Sequence, residues 1–305
     1  MNERELIKNL IPLFKQRDEI AVGPGDDCAA LDIGAGQLLL LSADQLVSGV
    51  HYDRENTSPE TIARKLLNRN LSDIAAMGGE PVSALVTIAA NSSDEWYMNF
   101  YKALAAETEK WDISVCGGDI SSMPSLPSPV EACSLTIIGK VGADSICLRS
   151  GMDVGDVIFV TGQFGNSLAS GHHLNFTPRI KEAQFLAGSY TRAMIDVSDG
   201  LLTDLLNLID AAGTGIVIDI DKIPLRDGAT TETALAEGED YELLFAVPSD
   251  AVEDLVKEWP FKDVELTRIG TVTDDPECLI RGIDGRDLCK IYKTGFDHRN
   301  VQQNS

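Results

Sequence analysis

Positive charge is scarce in this sequence. Only 25 Lys and Arg stand against 48 Asp and Glu, a formal net charge of -23. A surface of that sign repels nucleic acid and anionic membranes, so neither is an expected partner. A protein this acidic that handles phosphates needs metal ions as intermediaries. Long apolar runs are also missing. No segment is long enough to span a bilayer, and residues 1–14 are polar, with Leu6, Leu10 and Leu13 at helical spacing rather than a signal-peptide core. The six cysteines form no C-x-x-C pair and read as reduced thiols of a cytoplasmic protein. No G-x-x-x-x-G-K-[ST] sequence occurs, which excludes a P-loop, and no kinase glycine loop with its H-R-D and D-F-G partners is present. The aspartates at 196 and 199 do not follow EF-hand spacing.

What is present suffices for a large core: 305 residues, 44% of them hydrophobic, with a length that suggests two domains. The chain is organised around Asn70-Leu71-Ser72-Asp73-Ile74-Ala75-Ala76-Met77-Gly78-Gly79. Ser58 and Pro59 suit a helix start, and Gly78, Gly79 and Pro81 suit its end. Asn70 and Asp73 then share a face at the helix C-terminus, where Asp73 adds to the negative pole of the dipole. Taken alone, Asp73 reads as a solvated surface carboxylate. Four further acidic clusters change that weighting.

The first is Gly23-Pro24-Gly25-Asp26-Asp27-Cys28, a tight loop with paired aspartates at its exit. A short strand over Leu38–Leu41 leads to Ser42 and Asp44 at its end, with His51 in a turn beyond. After the central helix come a strand at Val82–Ala90 and a helix from Ser93 to about Trp111. A strand near Ile113–Cys116 then ends in Gly117-Gly118-Asp119. Glycines there allow close backbone approach to a ligand. Residues 121–129 read as a loop and Ala132–Val141 as a strand, so the first unit runs helix, strand, helix, strand, helix, strand, loop, strand. A boundary near Gly142–Gly151 divides the chain into domains 1–145 and 146–305.

In the second part, a strand at Asp156–Thr161 leads into Gly162-Gln163-Phe164-Gly165-Asn166-Ser167, which reads as a glycine turn opening a helix and offering an anion site. Asp196 and Asp199 project from a strand-to-helix turn before Gly200, and Asp199 also suits a helix cap. Gly238-Glu239-Asp240-Tyr241-Glu242 precedes a buried strand, and Gly295-Phe296-Asp297-His298 lies near the end.

In this order, the motifs around Asp27, Asp44 with His51, Asn70–Gly79, Gly117–Asp119, Leu148–Gly151, Asp196–Leu201 and Gly238–Leu243 resemble the thiamine-monophosphate kinase family. That family lies within a superfamily with aminoimidazole ribonucleotide synthetase and selenophosphate synthetase. The resemblance spans Gly23 to His298. It implies a two-domain α/β (α+β) fold of the aminoimidazole ribonucleotide synthetase-like kind. It implies further that the N-terminal sheet domain pairs in a homodimer, with ATP near the interface. It implies transfer of the ATP γ-phosphoryl group to thiamine monophosphate, assisted by several Mg²⁺ ions. The acceptor phosphate is already anionic, so no general base is expected, and positioning with charge neutralisation dominates.

Carried over by motif, Asp27, Asp44, Asp73, Asp119, Asp196 and Asp199 are expected metal ligands, with Asp26 and Ser42 as weaker ones. Gly118, Asp119, Arg149, Ser198 and Tyr101 match ATP-contacting positions. His51, Glu239 and Phe296 match substrate-contacting positions, and an aromatic ring suits thiamine's cationic heterocycle. Asp44, Asp73 and Asp119 are expected to converge on one acidic cleft.

The sequence departs from the family at several points. Ala43 and Ile120 stand where Thr is usual, Met152-Asp153-Val154 replaces Ala-Arg-Pro, Glu237 replaces a Gly, and Asn175-Phe176-Thr177 replaces an Arg-Pro-x segment in a shortened stretch between Ser167 and Arg179. Two other readings stay open: another ATP-dependent enzyme of the superfamily, and a catalytically silent nucleotide-binding homologue. Selenophosphate synthetase would need a reactive Cys beside an N-terminal glycine loop with a Lys, which is absent.

Overall fold

The structure, a computed structural model, describes residues 3–123, 130–275, 277 and 279–295. In chain order the first unit contains α1 (Glu3–Leu10), β1 (Ile20–Val22), β2 (Ala29–Asp32), β3 (Gln37–Val47), α2 (Pro59–Ala76), β4 (Glu80–Ala89), α3 (Asp94–Lys110), β5 (Ser114–Ser121) and β6 (Ala132–Gly142). The second contains β7 (Val157–Thr161), α4 (His172–Asn175), α5 (Ile180–Leu186), β8 (Ala193–Asp196), α6 (Leu201–Ala212), β9 (Gly215–Ile218), α7 (Thr231–Ala236), β10 (Leu243–Val247), α8 (Val252–Glu258), β11 (Leu266–Thr273) and β12 (Ile280–Gly282). Each unit has its own six-stranded sheet, ordered β1-β2-β3-β6-β4-β5 and β12-β9-β11-β7-β10-β8.

Local chemistry sets the limits of α2. Ser58 Oγ accepts from Thr61 N–H at 3.3 Å, Pro59 occupies the first turn, and Gly78 adopts φ 71° just past the end. Ser93 caps α3 in the same way, accepting from Trp96 N–H at 3.2 Å. Buried Ile62, Leu66, Leu67, Leu71 and Ile74 on α2 belong to one apolar core that joins both units. That core runs from Leu40, Val86 and Leu135 of the first sheet to Val157, Phe159 and Phe245 of the second. The alternate residues Ile158, Val160, Leu244 and Ala246 face a second core with α6. Central strands β7 and β10 are therefore buried on both faces, which explains their unbroken apolar sequence.

Several sequence expectations change. Strands β1 and β2 were not expected. β3 extends from Gln37 to Val47, so Asp44 lies inside a strand, paired with Leu135 of β6. β5 likewise runs through Gly117, Gly118 and Asp119 to Ser121. Apolar periodicity understates both strands because their later residues are small and polar. Gly118 is required by the neighbouring strand: a Cβ there would lie 1.8 Å from the Val86 carbonyl oxygen. No helix opens at Gly165. The N–H groups of Asn166 and Leu168 instead donate to the Glu237 carboxylate at 3.1 and 2.8 Å, and that of Gly165 to Asp240 at 3.1 Å. The expected anion site is thus filled by the chain's own carboxylates. The residue at the α6 cap is Gly200, not Asp199. Among the described residues, no helix is long and apolar enough to cross a membrane.

Candidate active site

Three carboxylates meet where α2 passes between the sheets. Asp27 leaves the β1–β2 loop, Asp73 lies in the last turns of α2, and Asp196 ends β8. One oxygen from each lies within 4.8 Å of the others. Each carboxylate is held by a neighbour. Arg149 Nη2 donates to Asp27 Oδ1 at 2.7 Å, Ser72 Oγ to Asp196 Oδ2 at 2.5 Å, and Ser42 Oγ to Asp73 Oδ2. Asp26, beside Asp27, accepts from the Arg149 backbone N–H at 3.2 Å.

Crowded, desolvated carboxylates resist ionisation. Burial, then the charge of Asp27, lifts Asp196 to about 7. Burial and Asp27 lift Asp26 to about 6. Burial, followed by Asp44, Asp196 and Asp27, pushes Asp73 well above the usual range, against the Ser42 hydrogen bond. Cys28 donates to the Asp73 carbonyl at 3.4 Å. Burial and four surrounding carboxylates raise its thiol pKa, so it stays protonated and unreactive.

The cluster suits a hard cation. Its donors are all oxygen, its ionised form is disfavoured without a counter-charge, and Asp27 Oδ2 is buried with no hydrogen-bond partner. Mg²⁺ prefers this chemistry.

Asp44 is the next carboxylate. Arg69 lies beside it, with Nε 3.2 Å from Oδ2, and the Asp44 N–H donates to Asn70 Oδ1 at 3.2 Å. Asp119 is not brought into the three-carboxylate group. It stands exposed on edge strand β5 and accepts from Ser121 Oγ at 2.9 Å, while Asp44 lies near enough to Asp73 for its charge to raise the Asp73 carboxyl pKa. Asp199 sits in the turn after β8, and its N–H donates to Asp204 Oδ2 at 3.1 Å. The Ser198 carbonyl accepts from the Glu239 N–H at 2.7 Å, and a Cβ on Gly238 would lie 2.4 Å from it, so the Glu239 loop rests on the Asp199 turn. Gly295 also lies against this turn, donating to Thr203 Oγ1 at 2.8 Å; Phe296 falls outside the described residues. His51 follows β3, and its Nδ1 accepts from the Val47 N–H at 3.0 Å, which places the proton of a neutral ring on Nε2. Tyr101 lines a cavity of about 480 Å³ between α3 and β5, with Leu104, Thr108, Ile113 and Val115.

Sequence reasoning missed three groups. Asp204 on α6 is buried, and burial with Asp199 raises its carboxyl pKa. Lys65 and Arg69 are cations on the α2 face that carries Asp73. Their spacing of four residues was the available signal.

Comparison with known proteins follows the same outline. Residues 25–141 match the AIR synthase related protein N-terminal domain family, and residues 153–281 match the corresponding C-terminal domain. A thiamine-monophosphate kinase of Salmonella typhimurium is 34% identical, covering 92% of this chain and 93% of the relative. That of Rhodopirellula baltica is 35% identical, covering 97% of each. The solved structure of AaThiL complexed with AMPPCP and TMP covers 97% of both chains at 28% identity with a TM-score of 0.82. Thiamine-monophosphate kinase from Stenotrophomonas maltophilia covers 93% of this chain and 96% of its own at 30% identity and a TM-score of 0.74. With both domains matched in order and the acidic cluster at their junction, the chain belongs to the thiamine-monophosphate kinase family of AIR synthase related proteins.

Proposed function

We infer that this chain is an ATP-dependent kinase that phosphorylates thiamine monophosphate to thiamine diphosphate. The observation that carries the reading is the convergence of Asp27, Asp73 and Asp196 from three separate elements onto one site. Similarity to a protein solved with AMPPCP and TMP supports a place for both reactants. Mg²⁺ would be held by Asp27, Asp73 and Asp196, with Asp44, Asp119, Asp199, Asp26 and Ser42 as further contributors. When bound, it supplies the positive charge that lets two anionic phosphates approach.

The chain's own residues do the positioning. Arg149, Ser42 and Ser72 fix the orientation of the three carboxylates before substrate arrives, which lowers the reorganisation needed in the transition state. No general base is assigned, because the acceptor oxygen is already anionic. We assign Gly118, Asp119, Arg149, Ser198 and Tyr101 to the nucleotide, and His51, Glu239 and Phe296 to the thiamine phosphate.

A homodimer belongs to the same reading. Val82, Leu85, Val115 and Ile120 on β4 and β5 are 38–57% exposed, an apolar edge of the first sheet that a second copy would cover. It would also bring Asp119 into a complete site. We further propose a division into domains 1–145 and 146–305, with the connector held where Cys147 N–H donates to the Met77 carbonyl at 3.3 Å and Leu148 N–H to that of Arg192 at 2.8 Å. A cytoplasmic location fits the reduced cysteines.

Calorimetry and a product assay test the reading. ATP should bind weakly in EDTA and tightly in millimolar Mg²⁺, and thiamine diphosphate should appear only with both substrates. Equal ATP affinity in the two buffers, without product, would favour the silent homologue.

A further inference from the structure

Lys65 is fully buried, with no exposed surface at all, in the middle of α2. Its ammonium donates to the His51 carbonyl at 2.8 Å and pairs with the Glu239 carboxylate, whose side chain is 19% exposed. These two partners come from different units of the fold. His51 lies in the turn after β3, and Glu239 in the loop before β10.

The Glu239 loop is built to point this carboxylate. Glu239 adopts φ 65°, a left-handed conformation unfavourable for a side chain with a Cβ. Its N–H is held by the Ser198 carbonyl at 2.7 Å, and its carbonyl accepts from Ser167 Oγ at 2.6 Å. The backbone is therefore pinned on both sides, and Lys65 fixes the remaining freedom, that of the side chain. Stability does not explain such an arrangement. Burying an ammonium costs more than a buried ion pair usually returns, and an apolar side chain of similar volume would serve the core as well. Retaining the cation makes sense where it sets a geometry.

We propose that Lys65 is a positioning residue for the acceptor substrate, fixing the Glu239 carboxylate and the His51 turn relative to each other across the junction of the two units. This rests on the assignment of His51 and Glu239 to thiamine monophosphate. Lys65 touches neither the substrate nor the transferred group; it acts through these two residues. Arg69, one turn on, plays the corresponding part beside Asp44.

The test is a double-mutant cycle read as KM against kcat. Lys65→Met keeps the aliphatic stem and removes the charge. It should raise KM for thiamine monophosphate by roughly tenfold to a hundredfold, the equivalent of a lost charged hydrogen bond, and leave KM for ATP within about threefold. In a Glu239→Gln background the same change should add several-fold less than in the wild type, because one of its two partners is already gone and only the His51 carbonyl remains. A full additional effect in that background, or a parallel rise in both KM values, overturns the proposal. Amide exchange supplies a readout independent of turnover. The N–H groups of Glu239 and Tyr241 should exchange faster in Lys65→Met while those of β10 stay protected, and unchanged exchange overturns the proposal. If Lys65→Met does not fold, Lys65→Gln, which keeps a donor and loses the charge, is read in the same way. A wild-type protein that makes no thiamine diphosphate refutes the functional reading instead, and amide exchange then still decides whether Lys65 orders the loop.

Discussion

Arg149 and Asp27 are 122 residues apart in sequence, and Arg149 Nη2 sits 2.7 Å from Asp27 Oδ1 in the folded chain. The side chain of Asp27 is 2% exposed and that of Arg149 21%. The pair ties the segment after β6 to the loop before β2, while Asp27 Oδ2 is buried without a hydrogen-bond partner. Removing the cation strands a buried carboxylate. Arg149→Met is expected to lower stability by about 3 kcal/mol in EDTA, within the range for broken buried pairs, and to recover part of that loss in millimolar Mg²⁺. Urea denaturation in both buffers measures it. An equal loss in both would mean that Arg149 has no electrostatic link to the metal site.

Asp73 behaves in the opposite sense. Its charge is opposed by burial and by Asp44, Asp196 and Asp27, so Asp73→Asn relieves repulsion while keeping shape. Stability without metal should be unchanged or higher, and turnover should fall by about a hundredfold or more. Wild-type turnover, or a large loss of stability in EDTA, would show that Asp73 is a structural residue.

Stability without metal should also depend on pH in a definite direction. Asp196, lifted to about 7, and Asp26, lifted to about 6, bind protons in the folded protein that the unfolded chain has already released. Their contribution is therefore present at low pH and is lost as pH rises through these values. Between pH 5.5 and 8 in EDTA, unfolding free energy should fall by more than about 1 kcal/mol. Saturating Mg²⁺ should flatten the slope, because the ion replaces the protons. Chemical denaturation at three pH values, with and without metal, measures both. A stability that rises across this window in EDTA would contradict the crowded-carboxylate account.

The exposed edge of the first sheet gives a test of assembly. Leu85 is 38% exposed and Val115 40%, and β5 ends the sheet with every residue exposed. Light scattering should report a dimer at micromolar concentration. Leu85→Glu with Val115→Glu should yield a folded monomer of much reduced activity, because a charge in the centre of an apolar interface is strongly disfavoured. A monomeric wild type with full activity would remove the dimer from the mechanism.

Much of this molecule is legible in one dimension. The limits of α2 follow from Ser58, Pro59 and Gly78, and the buried strands β7 and β10 from their unbroken apolar runs, because caps and periodicity are local physics. The order of the acidic motifs likewise identified the family before any coordinates. Which carboxylates meet was not legible. Ser42 reaches Asp73 across 31 residues and Ser72 reaches Asp196 across 124, and these approaches exist only because α2 packs between two sheets. The same packing places Asp119 on an open edge, fills the Gly165 turn with Glu237, and buries Lys65 against Glu239. A sequence records the charge of each residue. The burial that decides whether that charge faces water, another carboxylate or a counter-ion is settled only when distant segments close on one another.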